Sequence, residues 1–147
     1  MNYKYLIDAN VLSMGRVSAL ITSDFFRDKC IVLEEISHEL RDTSLFRELA
    51  TITTPASGGV LPYISQVADE IIKLGMLKTD EGNGEVILLA WALMIRESSN
   101  GQIPLDFMRE TPVVVSNETK VVQYAKSKSI DSITGKEFIA VLEQRYE

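Results

Sequence analysis

The run Val113-Val114-Val115 is the feature that most constrains this chain. Three successive β-branched side chains are crowded at χ1 in a helix but fit well on a pleated strand. The run also lacks the polar alternation that would leave one face in water. It is therefore expected to be a strand covered on both faces, as in a parallel sheet sandwiched between helices. Tyr5-Leu6-Ile7 and Cys30-Ile31-Val32-Leu33 are two more short apolar stretches of this kind. Helical patterns separate the three. The expected fold is a three-layer α/β/α arrangement, Rossmann-like, with a mainly parallel central sheet.

The rest of the pattern fills in around these strands. Lys4–Ile7 reads as the first strand, with a helix from about Val11 to Ser23 after it. Cys30–Leu33 is the second, leading into a helix from about Glu35 to Glu48, and Ala50–Thr54 is a third. Pro55-Ala56-Ser57-Gly58-Gly59 is a loop signal, and Pro62 opens a helix that reaches Gly75 as its C-cap. The turn-like stretch Thr79 to Glu85, with Asp80 or Asn83 as a cap, precedes a helix that is apolar on nearly all sides. That helix is expected to end at Ser98, broken by Ser99-Asn100-Gly101. Val113–Ser116 is a strand, Lys120–Ser129 a helix, Ile130–Ile133 a final strand, and Gly135–Tyr146 a closing helix.

A chain of 147 residues is long enough to bury a core without disulfide or zinc staples, and it is expected to form one domain over residues 1–147. The single cysteine, Cys30, excludes an internal disulfide framework and a multi-cysteine zinc site. Beside Ile31-Val32-Leu33 it reads as a core residue, and a reducing, cytoplasmic setting is expected. No apolar leader is visible at the N-terminus, and the longest apolar run, Val86 to Ile95, is about half a membrane span, so no membrane attachment is expected. The net charge of −6 argues against a broad basic surface for nucleic acid. It is compatible with an acidic pocket neutralised by a cation.

Four acids stand where an isolated carboxylate is hard to explain. Asp8 ends an apolar strand, Glu39 lies in the helical stretch after the second strand, Glu85 opens the most hydrophobic segment, and Glu118 follows the valine run. Each has an ordinary explanation alone: Asp8 as a helix cap, Glu39 as a solvated helix residue, Glu85 and Glu118 as first-turn acids complementing a helix dipole. Together they form a different pattern. Carboxylates gathered at the carboxyl ends of parallel strands, where open α/β sheets bind ligands, repel one another unless a divalent cation fills the pocket. Asn10, Ser116 and Asn117 are the nearby polar side chains that could orient ligands or substrate. The lone histidine, His38, points away from its neighbour Glu39 on a helix and reads as partly exposed, while Trp91 and the methionines read as core. Arg41, Arg47, Arg96, Lys120, Lys126 and Lys128 could line a rim that tracks phosphates.

The order of these residues resembles the PIN-domain family, the VapC-like toxin ribonucleases among them. Tyr5-Leu6-Ile7-Asp8-Ala9-Asn10-Val11-Leu12 looks like its opening strand and aspartate. Ile36-Ser37-His38-Glu39-Leu40 is similar to its second signature, and Gly84-Glu85-Val86-Ile87-Leu88-Leu89-Ala90 to the Gly-Glu form of its third. Val114-Val115-Ser116-Asn117-Glu118 resembles its fourth. The tail, Ala125 through Ile133 and then Glu137-Phe138-Ile139, is like the family's closing helix, strand and helix. The chain departs from the pattern in carrying Glu118 where aspartate is common, and in an extra polar stretch, Leu105 to Thr111.

The resemblance implies a magnesium- or manganese-dependent endoribonuclease, with Asp8, Glu39 and Glu85 as metal ligands and catalytic residues and with Glu118, or Asn117, completing the site. It further implies RNA as substrate, a homodimer, and the toxin role of a toxin–antitoxin pair with an antitoxin protein as partner. All-oxygen ligation suits Mg²⁺ or Mn²⁺ rather than zinc. Two other readings stand beside this one. The same fold could hold RNA or a protein without cleaving, or Asp8 could be a phosphotransfer nucleophile, although no second Asp stands two residues on, where Asn10 lies.

Overall fold

The computed structural model describes residues 2–55, 58–73, 84–101 and 110–146. Its centre is a five-stranded, all-parallel sheet of β1 (Asn2–Ile7), β2 (Cys30–Leu33), β3 (Thr53–Thr54), β4 (Glu110–Val115) and β5 (Asp131–Ile133), in the order β3-β2-β1-β4-β5. Helices flank it in a three-layer α/β/α, Rossmann-like architecture. The valine run lies in β4, next to the central strand β1, with Ile7 in register with Val115. Leu6, Ile7, Val114 and Val115 are fully buried, as expected for strands covered on both faces. No helix among the described residues is long and apolar enough to cross a membrane.

The helices differ from the sequence expectation in ways that have local causes. The stretch expected as one helix over 11–23 contains α1 (Ala9–Leu12) and α2 (Gly15–Ser18), and α3 (Asp24–Lys29) follows. Ser23 does not end a helix. It begins one, its Oγ accepting from the Phe26 amide at 3.3 Å. The helix expected from Glu35 to Glu48 breaks after α4 (Glu34–Glu39) and resumes as α5 (Leu45–Leu49). Between them the Thr43 hydroxyl donates to the Leu40 carbonyl at 2.7 Å, an alternative to the helical ladder. Ala50 and Thr51 turn, with the Ile52 amide donating to Leu49 O, so only the end of the expected third strand pairs.

A short 3-10 turn (Gly58–Val60) leads into α6 (Leu61–Lys73). The expected cap at Gly75, the turn over 79–83 and most of the polar stretch 105–111 lie outside the described residues. Helix α7 (Gly84–Gly101) runs through Ser99 and Asn100 instead of stopping at Ser98. Weak helix formers cost only tenths of a kcal/mol each, too little to break a helix anchored by this much burial. Leu88, Leu89, Ala90 and Ala92 are fully buried on it, and α7 packs along β4, β1 and α6. Elsewhere the Tyr5 ring on β1 meets Phe25 at 5.9 Å and Phe138 of α9 (Gly135–Tyr146) at 5.5 Å. Trp91 is buried, as expected, and His38, expected to be partly exposed, is exposed.

Two caps fix the last third of the chain. Helix α8 (Thr119–Ser127) ends in a Schellman motif: the Ile130 amide donates to Ala125 O at 2.9 Å and the Ser129 amide to Lys126 O at 3.0 Å. Ser129 takes φ 59° there, the left-handed region where a Cβ is penalised. Thr134 and Glu137 form a capping box at the start of α9, each side chain accepting from the other's amide. A network of Gln66, Glu70, Tyr124 and Lys128 joins α6 to α8, with the Tyr124 hydroxyl donating to Glu70 at 2.9 Å and Lys128 pairing with Glu70 at 2.6 Å. Ser129→Gly should stabilise the protein by about 0.5–1 kcal/mol, measured as a rise in the denaturation midpoint at unchanged slope.

Candidate functional site at the strand crossover

The sheet order reverses direction between β1 and β4. From β1 the chain moves to β2 and β3 on one side, then returns to lay β4 and β5 on the other. The segments leaving β1 and β4 therefore diverge at their carboxyl ends, the switch point at which open α/β sheets bind ligands. Asp8 and Ser116 are the first residues after these two strands. The Asp8 amide donates to Val115 O at 2.9 Å, and the Ser116 amide to Ile133 O at 3.1 Å, so both positions extend the sheet's own bonding.

Asp8 is 3% exposed, a buried carboxylate with three donors around it. Its Oδ1 accepts from the Ala9 amide at 2.8 Å, capping α1. Its Oδ2 accepts from the Ser116 hydroxyl at 2.7 Å and, more weakly, from Asn10 Nδ2 at 3.4 Å. Burial raises its pKa above the ordinary aspartate value; the hydrogen bonds from Ser116, Ala9 and Asn10 pull it down, and the nearby charge of Glu118 pushes it up. The two oxygens thus serve different partners, Oδ1 the start of α1 and Oδ2 chiefly the residue after β4.

Glu39 is exposed as a residue, yet its carboxylate lies against the start of α7. A Cβ placed on Gly84 would stand 2.5 Å from Glu39 Oε1, and the Gly84 amide donates to this carboxylate. Partial burial raises the Glu39 pKa first and the charge of Asp8 second, while the Gly84 amide lowers it. Glu39 thus sits at the positive end of an 18-residue helix, and it feels Asp8. The sequence marks Gly84 only as part of the Gly-Glu motif; its contact with Glu39 is what the structure adds. The signal for that contact is a glycine at the first position of a long apolar helix, where alanine would be the better helix former. Glu85 is the next residue, half-buried in the first turn of α7.

Beyond β4 the chain makes a turn. Ser116 Oγ accepts from the Glu118 amide at 3.0 Å while donating to Asp8. Glu118 is exposed at the N-cap of α8, and its side chain makes no cap hydrogen bond, so it does not serve as a cap. Asn10 Oδ1 accepts from the Asn117 amide at 3.1 Å, tying α1 to this turn. Asp8, Asn10, Ser116, Asn117 and Glu118 are thus joined by hydrogen bonds or charge, with Glu39 coupled through Asp8.

The described residues contain no group of three or more His, Cys, Asp or Glu side chains arranged to hold a metal ion. What links the acids is charge alone: Asp8 feels Glu118, and Glu39 feels Asp8. The basic rim is only partly at hand. Arg96 donates to Lys128 O and pairs with Glu97, while Lys128 pairs with Glu70, so these two cations hold α6, α7 and α8 together. Arg41 donates to the His38 carbonyl at 3.2 Å. No family model matches the chain, and no curated protein matches it.

The raised pKa values of Asp8 and Glu39 fix a sign. Stability from these groups is full below their ordinary values, 3.8 and 4.5, and is lost as pH rises through their higher folded values. Asp8→Asn keeps an acceptor for Ala9 and removes the buried charge. Melting temperatures from about pH 4 to pH 8 should therefore fall less for this variant than for wild type. A wild-type profile parallel to that of the variant would contradict the reading. Gly84→Ala tests the Glu39 contact: the new methyl displaces the carboxylate from the start of α7, and the melting temperature at neutral pH should fall by roughly 2–4 °C.

Proposed function

We propose that this chain is a metal-dependent endoribonuclease of PIN type, cleaving RNA phosphodiester bonds at the crevice between β1 and β4. The observation that carries the reading is Asp8: a buried carboxylate at the switch point, held by Ser116 and sharing its field with Glu39 and Glu118. Keeping a buried carboxylate among like charges is costly, and such strain concentrates at functional sites. The five-stranded parallel sheet and the order in which the four acidic motifs meet it support the same reading.

In this scheme Asp8, Glu39 and Glu85 would hold Mg²⁺ or Mn²⁺ directly or through water, with Glu118 or Asn117 completing the site. When bound, the cation supplies positive charge beside the scissile phosphate and lowers the pKa of a water. The chain's own residues set the geometry. Ala9 and Ser116 fix the Asp8 carboxylate through two opposed oxygens, and Gly84 fixes Glu39 at the end of α7. Partnership with an antitoxin protein, action as a toxin and assembly as a homodimer belong to the same proposal.

A second reading has one observation in its favour. The described carboxylates are coupled but not gathered into a ready three-ligand group, as suits a module that holds RNA or a protein without cleaving it. Incubating a mixed RNA pool with Mn²⁺ or Mg²⁺ separates the two. Wild type should cleave, EDTA should abolish cleavage, and Asp8→Asn should lose it by at least about a hundredfold. Binding of the pool without cleavage would favour the module.

A further inference from the structure

We propose that two cavities sharing Glu48 form one binding site for a linear aliphatic amine. The ammonium sits against Glu48 and the hydroxyls of Ser13, Ser18 and Thr43, and the methylene chain lies on Ile21, Phe26 and Ile52. Neither Asp8, Glu39, Ser116 nor Glu118 lines either cavity, so the site is separate from the one at the strand ends.

The smaller cavity, about 260 Å³, is lined by Ser13, Ser18, Thr43, Ser44, Leu45 and Glu48. Three of its hydroxyl protons are already committed. Ser13 Oγ donates to Ala9 O at 2.9 Å, Ser18 Oγ to Gly15 O at 3.2 Å, and Thr43 Oγ1 to Leu40 O at 2.7 Å. A carbonyl can only accept, so the direction of each bond is fixed, and each hydroxyl keeps only lone pairs for a ligand. With the Glu48 carboxylate they form a wall of acceptors. Such a wall disfavours phosphate and other anions and suits a group that only donates, as an ammonium does with its three N–H bonds. The acceptors belong to separate segments: the ends of α1 and α2, the link before α5, and α5 itself. A compact, rotatable ammonium can satisfy them more readily than a flat guanidinium fork.

The larger cavity, about 490 Å³, is in the size range of small-molecule sites. Ile21 and Phe26 are buried and Ile52 is half-buried, which gives it an apolar wall. Cys30 adds to that wall, because burial pushes its thiol pKa up and keeps it neutral. A methylene chain gains from such a surface in proportion to the area it covers. The charge balance also favours a cation. Arg27, which lines this cavity, pairs with Asp24 at 3.0 Å and with Asp28 at 3.2 Å, so its charge is outnumbered. Glu48 has no ion-pair partner among the described residues, and the chain carries a net charge of −6.

Titration of the full chain with n-hexylamine near neutral pH, followed by amide chemical shifts, tests this. Saturable shifts are expected at Ser13, Thr43 and Ile52, with a dissociation constant on the order of 1 mM. Glu48 is exposed, so Glu48→Gln leaves the core intact; it should weaken the amine at least about tenfold, as loss of a charged hydrogen-bond partner does. 1-Hexanol and hexanoate keep the chain without the positive charge, and methylamine keeps the charge without the chain. Each should bind at least about tenfold more weakly than n-hexylamine. Equal binding of 1-hexanol would reduce the site to a plain apolar cavity and overturn the proposal. Unchanged affinity in Glu48→Gln would overturn it too, as would shifts confined to Asp8, Glu39 and Glu118. So would the absence of saturation by about 10 mM amine.

Discussion

The hydrogen bond from Ser116 Oγ to Asp8 Oδ2 joins residues at the ends of the two central strands, and the site is built outward from it. It exists because β1 and β4 are paired in register up to Ile7 and Val115, so that the next residue of each strand arrives at the same level. A buried aspartate without such a donor would protonate or pull the strands apart. With it, the carboxylate is oriented. The same hydroxyl accepts from the Glu118 amide, so one serine passes the position of Asp8 to the turn that carries the next acid.

The second constraint is electrostatic and runs against stability. Asp8 and Glu39 are held at raised pKa by burial and by neighbouring negative charge. The fold offsets this locally, through the Ala9 amide at the start of α1 and the Gly84 amide at the start of α7. Amides at helix starts are suited to the task because their donors are unsatisfied within the helix. Away from the crevice the charges are handled differently. Glu70, Lys128 and Tyr124 satisfy one another between α6 and α8, a network that stiffens the scaffold and leaves the site acidic.

Much of this architecture is legible in the amino-acid pattern. Cys30–Leu33 is a strand with the expected bounds, and the valine run is the buried parallel strand that its lack of alternation demands. Asp8, Ser116 and Asn10 stand out because each falls at the end of an apolar strand or just beyond it. The helical boundaries are less legible. Ser23 could end one helix or cap another, and only the Phe26 amide above its hydroxyl decides. Thr43 is compatible with a helix by propensity but takes a carbonyl for itself. Ser99 and Asn100 look like a stop, yet α7 continues through them.

What the sequence determined by itself is the strands and the chemistry they bring: β-branched runs that must be buried, and acids at the ends of those runs. These follow from side-chain shape and local periodicity, which do not depend on partners. Tertiary structure decided which of the acids meet. The order β3-β2-β1-β4-β5 puts the ends of β1 and β4 side by side, 108 residues apart in sequence, and no local pattern encodes that adjacency. It also decided that Arg96 and Lys128 serve the scaffold, and that a glycine at 84 makes room for Glu39. Such contacts depend on where two distant segments pack against each other, and only the folded sheet brings them within reach.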